Sequence, residues 1–73
     1  MNHKDAQRDQ VKQLRLLIRR ELQSCNPSAT PNFCEMIKTQ SGYKKAESMT
    51  ISYAITNGVG VGAAIAQLES EME

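Results

Sequence analysis

Val11, Leu14, Ile18, Leu22 and Cys25 recur at spacings of three and four, which sets them on one stripe of an α-helix from Asp5 to about Ser24. Asp5 is the expected cap, and Gln, Arg, Leu and Glu fill the segment with no Gly or Pro. The run SCNPSATP then breaks the chain. Thr30 ahead of Pro31 reads as a cap followed by proline at the first helical position. A short second helix is predicted from about Pro31 to Gln40, with Phe33, Cys34 and Ile37 inward and Gly42 as its stop.

Two periods fit the next stretch. Ala46, Met49 and Tyr53 would share a helical face, yet Met49 to Thr56 alternates strictly and is rich in β-branched residues. Asn57-Gly58 suits a type I′ hairpin and a helix C-terminus equally. Helix is preferred, because a lone two-stranded hairpin is barely stable and the partner segment VGVG is short and glycine-weakened. From about Gly60 to Met72, Val61, Ala64, Ile65, Leu68 and Met72 form a last stripe, whose small residues permit close helix contact. The expected fold is mainly α, a small bundle of three to four short helices in one domain frayed at residues 1–4. The alternative is an α+β fold with a 49–62 β-hairpin packed on helices.

Length makes this fold marginal. A chain of 73 residues hides only about 60% of the surface it exposes when unfolded. Val, Ile, Leu and Phe supply 14 residues of the 73, near the level of disordered chains, but the net charge of +1 is too small for that class. At this size apolar burial and ordering entropy nearly cancel, so a further source of stability is expected, self-association first.

The small net charge hides a polarity: residues 1–45 carry +5 and residues 46–73 carry −4. Such a chain binds partners of opposite sign or lays its tail against a head. Within the basic part, Arg8, Lys12, Arg15 and Arg19 form a row about 90° round the first helix from its apolar stripe. The row is able to track nucleic-acid phosphates in a salt-sensitive way. The plainer expectation is a solvated face that meets acids of the last helix, and no aromatic is interleaved to stack on bases.

Ala54, Gly58 and Val59 are similar to three positions of the helix-turn-helix motif. The helix that would enter the groove offers Gln67 and glutamates but no cation, which argues against DNA reading there. GVGVG at 58–62 lacks the Lys-Ser/Thr of a phosphate loop, so its glycines are expected to serve a turn and tight helix packing. An amino terminus with His3 is a formal Cu(II) or Ni(II) site of a kind that arises by chance, and Cys25, Cys34 and one distant His do not make a zinc site. No metal or other cofactor is expected.

Catalysis is not expected, on similar grounds. The sole His lies at the N-terminus, the acids fall where water should reach them, and a chain this short has little room for a substrate pocket. With two cysteines, a polar start and no apolar run able to cross a bilayer, the chain is expected to be cytoplasmic, with Cys25 and Cys34 free and semi-buried. A thiol-based redox sensor, oxidising at Cys25 and Cys34, is a third functional alternative.

Leu16 projects almost opposite the apolar stripe, with Leu17 on its flank, so the first helix is apolar on more than one side. The expected function is a non-enzymatic interaction or regulatory module that binds a protein, itself first as a homodimer, through Leu16, Leu17 and Arg20. The alternative is a nucleic-acid-binding, regulator-like protein using Arg8, Lys12, Arg15 and Arg19.

Overall fold

The structure is a computed structural model and describes the backbone of residues 3–72 and the side chains of residues 8–72. Four helices follow one another: α1 (His3–Gln23), α2 (Pro31–Met36), α3 (Gln40–Asn57) and α4 (Val61–Met72). No strand occurs among the described residues, so the mainly α bundle is the fold and the 49–62 hairpin is absent.

The alternating stretch is helical because both ends of α3 are capped and its buried line has period four. Thr39, extended at φ −108°, ψ 155°, accepts the Gly42 N–H on Oγ1 at 3.0 Å. At the other end Gly58 takes the left-handed conformation at φ 63°, and the Val59 N–H returns to the Ala54 carbonyl at 3.1 Å. Ala46, Thr50 and Ala54 are the buried positions, with Met49 and Tyr53 beside them only partly covered. Thr50 is tolerated there because its hydroxyl donates to the Ala46 carbonyl at 2.7 Å.

Several boundaries differ from expectation. Helix α1 begins at His3, ahead of Asp5, so Asp5 is not its cap and residues 3 and 4 are helical; Met1 and Asn2 lie outside the described residues. Helix α2 ends at Met36, and Gly42 belongs to the first turn of α3. A Cβ on Gly42 would collide with the Met36 carbonyl oxygen, so this glycine lets α3 start against the end of α2. By contrast, Gly60 and Gly62 border open space and serve no tight packing.

Cys25 and Cys34 are joined by a disulfide, which corrects the expectation of free thiols. The intervening turn closes on Asn26: its carbonyl accepts the N–H groups of Ala29 and Thr30 at 2.9 and 2.8 Å, and its side chain accepts Ser28 N–H at 3.0 Å. That turn brings the two Cα atoms to 5.7 Å. Cys25 therefore lies past the end of α1 and not on its stripe.

Ile18, Leu22, Phe33, Ala46, Val61, Ile65 and Leu68 make the core, flanked by partly buried residues including Leu14, Ile37, Tyr43 and Met72. Among the described side chains of α1, those that join it lie from Leu14 onward. Between Arg8 and Gln13 every residue except half-buried Val11 is exposed. Helix α1 is about 31 Å long, and the molecule measures 42 × 23 × 17 Å.

Candidate interaction surface

Helix α1 has three faces with different chemistry. Ile18 and Leu22 point into the core. Leu16 stands about 160° round from Ile18 and Leu17 about 100° round on the other side, and they are 58% and 47% exposed. Arg20 falls between the two leucines on the helical wheel and is exposed as well. All three residues expected at an interface are therefore exposed on the outward side of α1.

The third face holds the basic row. Arg15 Nε and Arg19 Nε lie 3.4 and 3.2 Å from the two carboxylate oxygens of Glu47. The acid that meets the row is thus on α3, not on the last helix as expected. Glu47 is mostly covered, at 13% side-chain exposure, whereas the arginines are about half exposed at 46% and 52%. Arg8 and Lys12 continue the row toward the N-terminus and are exposed. Half of the candidate phosphate-binding row already shares a carboxylate, which lowers what it offers an outside anion.

Comparisons with protein-family models, curated proteins and solved structures found no match.

The chain turns by 110° between α3 and α4 across Gly58, Val59 and Gly60, within the range of a helix-turn-helix. Its exposed α4 residues are Gly62, Ala63, Ala66, Gln67, Ser70 and Glu71, with no cation among them. The shape is present and the phosphate-binding chemistry is not.

Glu69 corrects the expectation that the acids are solvated: it is 2% exposed. Its Oε1 accepts the Phe33 N–H at 2.9 Å, and its Oε2 accepts the backbone N–H and Nδ2 of Asn32 at 3.2 and 2.6 Å. Burial pushes this carboxyl up, but the Phe33 N–H and the two Asn32 donors outweigh it and hold the group below its usual range. Thr30, the cap expected of α2, makes no capping bond, and its hydroxyl reaches Asn26 O at 3.4 Å instead. Glu69 fills that role from α4.

A shallow, open concavity of about 650 Å³ lies beside Asn32, Glu35, Met36, Thr39, Lys45 and Met72. Of its ionisable residues, Glu35 pairs with Lys38 at 2.9 Å. The described residues contain no group of three His, Cys, Asp or Glu able to hold a metal ion. The formal His3 site would depend on Met1, Asn2 and the His3 side chain, which lie outside the described residues. No single helix is long and apolar enough to cross a membrane.

Proposed function

We infer that this protein is a non-enzymatic interaction module that associates first with a second copy of itself, through Leu16, Leu17 and Arg20 on the outer face of α1. The observation that carries this reading is the pair of adjacent leucines left 58% and 47% exposed on a helix whose opposite face is already in the core. Leu16 and Leu17 serve as anchors, and Arg20 at the rim sets orientation and encounter rate. The dimer then acts by occluding or bridging a further protein partner.

The reading is preferred to nucleic-acid binding because Arg15 and Arg19 share Glu47. Of location it takes only that no single helix suffices to cross a membrane. The cytoplasmic expectation drew on a polar start, no bilayer-crossing run and only two cysteines, whereas a Cys25–Cys34 bond is favoured by oxidising surroundings.

Light scattering tests the proposal. Leu16→Asp should lower the measured mass from that of two chains to one, with helical circular dichroism unchanged. A wild-type chain that stays single at millimolar concentration, or a variant that stays dimeric, overturns it. Raising the salt concentration should preserve or tighten the apolar interface, whereas binding through phosphate contacts would collapse.

A further inference from the structure

Resting on that reading, we propose that the second copy lies antiparallel along α1, in the register that sets Asp9 of one chain against Arg20 of the other. Three features of α1 point to this arrangement. Asp9 and Arg20 are both exposed, fall within about 20° of one another on the helical wheel, and stand about 16 Å apart along the axis, with the exposed leucines between them. A face with an acid near one end, a base near the other and the uncharged Gln13 and Leu16 between them is complementary to itself only when turned end for end. Parallel pairing would oppose Asp9 to Asp9 and Arg20 to Arg20.

The second feature is where the leucines fall. In an isologous pair that matches residue 9 with residue 20, the two-fold axis passes between Leu14 and Arg15, and the two copies of Leu16 are offset by only about 4.5 Å along the helices. Leu16 lies to one side of the Asp9–Arg20 line, and in an antiparallel pair such flanking positions meet their own symmetry mates. Leu16 thus packs against Leu16 of the second copy, close to the axis where a contact is best shielded from water.

The third feature is the arm. The N-terminal half of α1 extends past the core, with Arg8, Asp9, Gln10, Lys12 and Gln13 all exposed. A helical segment in which only Val11 of residues 8–13 is partly covered gains little from packing and is marginal in water. The proposed register overlaps α1 with its mate over residues 6–23, so each arm rests on the core-backed half of the other chain's helix. The leucines supply the affinity. The exposed Asp9–Arg20 pairs contribute little of it and instead select direction and register.

Charge exchange tests the register separately from the interface. Asp9→Arg and Arg20→Asp are surface changes that should leave circular dichroism and melting intact. Each alone opposes like charges at both ends of the antiparallel pair and should weaken dimerisation roughly ten-fold or more in sedimentation equilibrium. An equimolar mixture of the two variants, one with two cations and the other with two anions on this face, should recover a heterodimer at least as tight as wild type. The double variant Asp9→Arg/Arg20→Asp should recover a homodimer. If the single variants dimerise as wild type does while Leu16→Asp still yields single chains, the antiparallel register is wrong and the interface stands. If wild type itself is single, both fall.

Discussion

Glu69 in the last turns of α4 caps α2, its Oε1 accepting the Phe33 N–H at 2.9 Å across 36 residues of sequence. Phe33 is the largest fully buried side chain, so the carboxylate fixes the backbone of the residue on which the core is centred. Removing it as Glu69→Ala strands a buried donor and should cost about 1–3 kcal/mol in urea unfolding. Glu69→Gln, which keeps one acceptor, should cost less.

The same group predicts a pH dependence. Its pKa is lowered in the folded chain, so the unfolded state takes up the proton more readily. The stabilisation is therefore complete above the ordinary glutamate range and is lost as pH falls through that range toward the folded value. Unfolding free energies measured from neutral pH down to about pH 3 should decline less steeply in Glu69→Gln than in wild type. Equal slopes would assign the acid sensitivity to other carboxylates.

The Cys25–Cys34 bond closes a loop with a sequence separation of 9, and loop-closure entropy for that length gives about 2–3 kcal/mol. Reduction of wild type, or the paired change Cys25→Ser/Cys34→Ser, should lower stability by that amount. Intact mass spectrometry should find the purified chain two hydrogens lighter than its reduced form.

Two glycine substitutions should act in opposite directions. Gly42→Ala drives a methyl group into the Met36 carbonyl and should destabilise by about 1–3 kcal/mol. Gly62→Ala meets nothing within 4 Å in the first turn of α4 and should gain up to about 1 kcal/mol from helix propensity. Thermal melts of the two variants side by side check both.

Much of the fold was legible from local pattern. The stripe through Leu14, Ile18 and Leu22 locates the inner face of α1, and the same periodicity leaves Leu16 and Leu17 outside, where the structure has them exposed. The last stripe likewise matches the buried residues of α4 from Val61 to Leu68. What escaped was decided by distant parts of the chain. Gly42 resembles a helix stop because nothing local says that the Met36 carbonyl will stand where its side chain would be. Thr39, three residues before it, was the overlooked sign of a new start. Glu69 sits among Glu71 and Glu73 as if solvated, and only its pairing with Asn32 and Phe33 distinguishes it. The cysteine pairing depends on how tightly the turn at Asn26 closes, which spacing does not specify.

Placing the cap of α2 at residue 69 also orders events on the ribosome. While the chain is being made, Phe33 and its helix emerge early, but the carboxylate that fastens them is still to be synthesised or still inside the exit tunnel. The nascent chain cannot lock its centre until α4 is almost wholly released, so native structure should be acquired after translation of this segment and not progressively along it.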